Sequence, residues 1–186
     1  MTRFEVIDYR AGGAELRYRE SFSEGFFDLD DAGNLDVVMH HEKRDPADPA
    51  GQITQVIHVR TLWRSIPGVT VAERSQINAE VEYFIISGDV GQSFEGAGSV
   101  IFSTNRKADT ITGTLDLARL KPVRQLIAAD DLFERVDLSG TFVAQKDRRR
   151  VRDTVHDMAR RFGPRHAPSM VRADHSPVSK TAINAS

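Results

Sequence analysis

The sequence predicts a mostly β, antiparallel domain of eight strands, closed as a barrel or folded as a sandwich, with one α-helix at its C-terminal end. Three observations predict it. Apolar and polar residues alternate with period two in one segment after another, which gives each strand a buried face and a wet face. Turn-forming clusters separate those segments at short intervals. After Lys146 the apolar period lengthens to that of a helix.

Four strands are written cleanly. In 14–22, Ala14, Leu16, Tyr18 and Phe22 share one face and Glu15, Arg17, Arg19 and Ser21 the other. In 77–85, Ile77, Ala79, Val81, Tyr83 and Ile85 oppose Asn78, Glu80 and Glu82. In 110–117, Ile111, Leu115 and Leu117 oppose Thr110, Thr112, Thr114 and Asp116. In 136–145, Val136, Leu138, Phe142 and Ala144 oppose Asp137, Ser139, Thr141 and Gln145. Segments 4–9, 35–43, 53–63 and 94–104 carry β-branched and aromatic residues on mixed faces and complete the eight.

The connections follow from turn chemistry. Ala11-Gly12-Gly13, Asp31-Ala32-Gly33-Asn34 and the run 105–109 are turns. Segment 45–51 holds Pro46 and Pro49 and reads as a loop, because proline removes a backbone donor and restricts its neighbour. Segment 65–76 is a second loop. Segment 121–135 reads as partly helical, with Pro122 in a first turn and Val123, Leu126 and Ile127 at i, i+3 and i+4. Beyond 146, Val151, Val155, Met158 and Phe162 form one helical stripe that Gly163-Pro164 ends. The expected organisation is a β domain over 1–146, a basic amphipathic helix over 147–163 and a disordered tail over 164–186.

Eight strands followed by a helix resemble, in layout alone, small ligand-binding barrels of the lipocalin type. The Gly-x-Trp of that family is missing near the N-terminus, so the likeness is one of plan. Closure into a barrel would remove unprotected sheet edges. With 10 Phe, 3 Tyr and 1 Trp among 186 residues, the chain has enough large apolar side chains to fill such a core.

Composition narrows the function classes. The absence of cysteine removes disulfides, thiolate catalysis and zinc–thiolate sites. No signal-peptide pattern and no long apolar span is present, so a cytoplasmic protein without transmembrane segments is expected. The net charge of −2 conceals an asymmetry: residues 1–145 hold 15 Lys+Arg against 23 Asp+Glu, or −8, and residues 146–186 hold 10 against 4, or +6. An acidic body disfavours nucleic acid as a partner.

Motifs that carry chemistry are few. His40 and His41 are neighbours on a strand and point to opposite faces, so they do not readily share one metal; His58 could join one of them across a sheet, but a site would still need a third ligand. Asp28-Leu29-Asp30-Asp31-Ala32-Gly33 begins like a calcium loop but has Ala32 and Met39 where ligands are needed. The glycines of 88–98 precede another strand rather than a helix, which suits a hairpin or bulge and not a phosphate cradle. No Gly-x-Ser-x-Gly elbow occurs. Glu80 and Glu82 share a strand face that reads as solvated. No metal site and no cofactor are implied.

Two sets of residues stand out. Tyr18 and Glu20 share the inward face of 14–22, and with His41 they form the candidate ligand-binding set, a carboxyl in an apolar lumen being able to orient a ligand. Arg148, Arg149, Arg152, Arg160 and Arg161 cover the polar side of the terminal helix and are the candidate anion- or partner-binding set. The expected function is a small-molecule-binding or interaction protein on a β-barrel scaffold. Its candidate partners are an apolar small molecule in the lumen and a protein, or a second copy of the chain, at the helix. The alternatives are a barrel enzyme of isomerase or cyclase type acting on an apolar small molecule, and an assembly subunit that docks through its helix.

Overall fold

The computed structural model describes residues 1–10, 13–31, 34–46, 51–61, 77–105, 107–127 and 134–163. The described residues form nine strands, β1 (Thr2–Tyr9), β2 (Glu15–Phe22), β3 (Glu24–Leu29), β4 (Leu35–Arg44), β5 (Gln52–Thr61), β6 (Ala79–Ser87), β7 (Val90–Asn105), β8 (Thr110–Gln125) and β9 (Arg135–Lys146), and the helix α1 (Arg148–Phe162). Strands β3 to β9 close into a seven-stranded barrel, because β9 pairs with β8 on one side and β3 on the other. Strands β1 and β2 lie outside this ring, β1 running antiparallel along β9 and β2 along β1. No described helix is long and apolar enough to cross a membrane.

The count of nine corrects the expected eight, and the ring holds seven. The added strand is β3. Only Ser23 separates it from β2, and Glu24-Gly25-Phe26-Phe27-Asp28-Leu29 does not alternate cleanly. Gly25 explains part of that irregularity: a side chain there would run into the Val143 carbonyl of β9. Closure beside it rests on two parallel pairs, Phe26 with Gln145 and Phe27 with Lys146.

Period-two alternation places the core inside the barrel. Phe4, Leu35, Tyr83, Phe94, Leu120 and Phe142 are among the interior side chains with almost no exposure. Leu117 breaks the pattern, at 41% exposure. A bulge between Leu115 and Ala118 shifts the register there. One extra residue flips every later side chain, so Ala118 and Leu120 turn inward in its place. Leu16, expected inward, is also exposed, at the start of the edge strand β2, whereas Phe22 at its other end is buried.

Residues 121–125 extend β8 and are not helical. Pro122 is tolerated because β9 stops pairing with β8 at Leu120, which leaves the proline on an unpaired side of the strand. The glycine-rich run is a hairpin followed by strand: Gly88, at φ +58°, makes the turn from β6 to β7, and Gly91 to Gly98 lie in β7. The expected loop over 65–76, the tail over 164–186 and part of the loop over 45–51 lie outside the described residues.

Helix α1 starts at Asp147, whose carboxylate accepts from the Arg150 amide at 3.0 Å, a cap that supplies about 1 kcal/mol. Met158 and Phe162 pack on Val56, Phe84 and Ile86, on the outer face of β5 and β6. Phe84 and Phe162 have ring centres 5.3 Å apart. At the far end Arg124 of β8 donates to the carbonyls of Phe162 and Gly163 and so satisfies acceptors the helix leaves open.

Gly113 pairs with Phe142 across β8 and β9, and a Cβ added there would sit on the Phe142 ring. Gly113→Ala is expected to cost about 1–3 kcal/mol in urea unfolding, and Phe142→Leu in the same chain to recover part of that loss. An unchanged midpoint in Gly113→Ala would mean that the ring moves aside without strain.

Candidate functional site

One end of the barrel gathers its inward-facing polar groups. It is the end where β1 and β4 finish and β5 begins. Strand β4 turns Val37, Met39, His41 and Lys43 inward, and β5 turns Ile57 and Gln55 inward, with His41 directly opposite Gln55. Strand β2 brings Phe22, Glu20 and Tyr18, and β1 brings Asp8.

These residues form two hydrogen-bonded groups, one on Glu20 and one on Asp8. Lys43 donates to Glu20 Oε1 in a short ion pair. Gln55 Nε2 donates to the same oxygen at 3.4 Å. Tyr18 donates its hydroxyl to Asp8 Oδ2 at 3.3 Å, and Arg10 Nε donates to that oxygen at 3.2 Å. The His41 ring lies 6.1 Å from the Phe22 ring. Burial, reinforced by the Asp8 charge, pushes the Tyr18 phenol up. Burial, reinforced by the Glu20 charge, pushes the Tyr83 phenol up more strongly. Both tyrosines therefore remain hydroxyl donors at neutral pH.

Three polar atoms in this set have no hydrogen-bond partner among the described residues: Asp8 Oδ1, His41 Nδ1 and Gln55 Oε1. Gln55 is only 4% exposed and Asp8 is fully buried. A buried acceptor left unpaired costs roughly 1–3 kcal/mol. Orphaned acceptors together at one end of the barrel are suited to receive donors from a bound molecule.

The structure thus brings Glu20, Tyr18 and His41 to the same end of the barrel. Sequence reasoning missed Lys43, Gln55 and Asp8. Each carried a parity signal: Lys43 follows His41 by two, Asp8 follows Phe4 and Val6 at the same spacing, and Gln55 sits between Ile53 and Ile57. His40 points outward, its ring 3.7 Å from Glu42 and 4.0 Å from Glu24.

The five arginines of the candidate partner-binding set stay on the surface, each with a carboxylate beside it. Arg148 lies 3.5 Å from Asp28. Arg149 and Arg152 flank Asp153, and Arg160 and Arg161 share Asp157. Among the described residues, no group of three or more His, Asp or Glu is arranged to hold a metal ion.

A second polar cluster lies on the outer face, under α1. His58 Nδ1 is 2.8 Å from Glu82 Oε2, and His58 Nε2 is 3.1 Å from Asp36 Oδ1. The expected wet face of β6 is therefore partly roofed, and Glu82 is buried. A cavity of about 80 Å³ adjoins this cluster, walled by Val38, Val56, Phe84, Val155 and Met158. Both ring nitrogens of His58 are engaged, so the histidine acts as a tie between β4 and β6 rather than as an available base.

Burial by itself would lower the His58 pKa, but hydrogen bonds to Asp36 and Glu82 and their charges outweigh it, and the net shift is upward. A raised folded-state value means that the native protein holds the proton more tightly than the unfolded chain. The stabilisation is complete below the ordinary histidine value, about 6.5, and is lost as pH rises through the folded value. The stability difference between the natural protein and His58→Gln should therefore shrink as pH rises above about 6.5. Melting temperatures across that range check this, and a difference that grows with pH would overturn it. No protein-family model matches the chain, and neither the curated proteins nor the solved structures compared with it give a match, so its functional reading rests on these two clusters.

Proposed function

We propose that this protein binds a small polar molecule at the polar end of its barrel, against Gln55, His41, Glu20 and Tyr18. The observation that carries the reading is the Gln55 amide, whose oxygen is buried without a partner among the described residues while its nitrogen reaches Glu20. Proteins keep such costly groups where function uses them. The apolar interior is filled by core side chains, which favours the end of the barrel over its middle as the seat of a ligand. Binding rather than turnover is the better reading, because the carboxylates of Glu20 and Asp8 already hold cations.

The test uses Gln55→Met, which conserves volume and removes both polar atoms. Without ligand the variant should be as stable as the natural protein or gain about 1 kcal/mol, a rise of roughly 2–4 °C in melting temperature for a chain of this size. A library of small polar compounds should raise the melting temperature of the natural protein, and the variant should lose that response. A variant that melts much earlier, or that keeps the response in full, would reassign Gln55 to a purely structural role.

A further inference from the structure

We infer that the molecule taken by this end of the barrel is a small aliphatic amine, bound as its ammonium ion. The inference rests on the binding site proposed above and adds its chemical class.

The first argument is the kind of atom left open. Gln55 Oε1 and Asp8 Oδ1 are both acceptors, both residues are more than nine-tenths buried, and neither atom has a partner among the described residues. His41 Nδ1 adds a ring nitrogen that accepts in one of its tautomers. A ligand that satisfies them must bring donors, and an ammonium group brings three with nothing to accept in return.

The second argument is the orientation of the two ion pairs. The Asp8 side chain is fully buried and its partner Arg10 is 45% exposed. The Glu20 side chain is 15% exposed and its partner Lys43 is 34% exposed. In both pairs the carboxylate lies inside and the cation faces the solvent. The two pairs are neutral overall but turn their carboxylates inward, and Lys43 already demonstrates an ammonium seated on Glu20. Tyr18 lies between the two pairs along the chain of β2, two residues from Glu20 on the same face, with its hydroxyl donating to Asp8.

The third argument is the field of the body as a whole. Residues 1–145 carry a formal charge of −8, which attracts cations and repels anions as they approach.

The experiment is isothermal titration of the full chain with four probes of equal backbone: 1,4-diaminobutane, butylamine, 1,4-butanediol and succinate. The two amines should bind and the diol and the diacid should not. Amine affinity should fall tenfold or more in Gln55→Met and in Glu20→Gln, and it should weaken with added salt. Circular dichroism and melting confirm that each variant is folded; if Glu20→Gln does not fold, Asp8→Asn takes its place. Binding of the diol or of succinate in preference to the amines, lost in Gln55→Met, would overturn the amine while leaving the binding site standing. Amine binding that ignores Gln55→Met, or no binding by any probe, would overturn the amine and count against the site itself.

Discussion

Strand β9 is the element on which the architecture depends, because three other strands hydrogen-bond to it. Its length runs along β8 on one edge, while the other edge is divided between β1 and, at its last residues, β3. A ring of strands closes only if its last member reaches its first, and here that contact is two parallel pairs beside Gly25. The backbone continues directly into the cap of α1, where the Asp147 amide donates to the Phe27 carbonyl of β3. Barrel closure and helix placement are thus coupled within three residues of chain.

Closure also sorts the polar groups. A barrel this narrow is filled by its own inward side chains, and Phe4, Tyr83, Phe94 and Phe142 occupy the interior. Inward positions that carry Glu20, Lys43, Gln55 and His41 fall at one end, where charged groups retain some contact with water. The carboxylates sit deeper than their cations because a lysine or arginine stem can carry its charge outward while its methylenes stay on apolar surface. That difference in reach makes the end of the barrel rich in acceptors.

The outer face obeys a different constraint. Val56, Phe84 and Ile86 are apolar on the side of β5 and β6 that faces away from the lumen, and α1 covers them. Covering them also buries His58 and Glu82, which remain acceptable only because His58 hydrogen-bonds carboxylates on both neighbouring strands. The arginines on the opposite side of α1 pair with carboxylates in the helix and on β3, such as Asp28, and remain at the surface.

Much of the fold and part of the site are legible in the chain alone. Alternation identifies the inward faces of most strands, the helical stripe of Val151, Met158 and Phe162, and the shared parity of Tyr18 and Glu20, because each is set by local spacing. The bulge at Leu115 to Ala118 is not legible, since one extra residue inverts the faces without leaving a distinct residue type, and Leu117 is misread for that reason. Strand β3 is missed because Gly25 answers to a carbonyl 118 residues further along the chain. The pairings of Gln55 with Glu20 and of His58 with Asp36 and Glu82 depend on register between strands, which the sequence of any one strand does not contain. The sequence by itself determined strand faces, the helix and the charge asymmetry, all of which are properties of near neighbours. Only the tertiary structure decided which polar residues meet, because that follows from how distant strands align when the barrel closes.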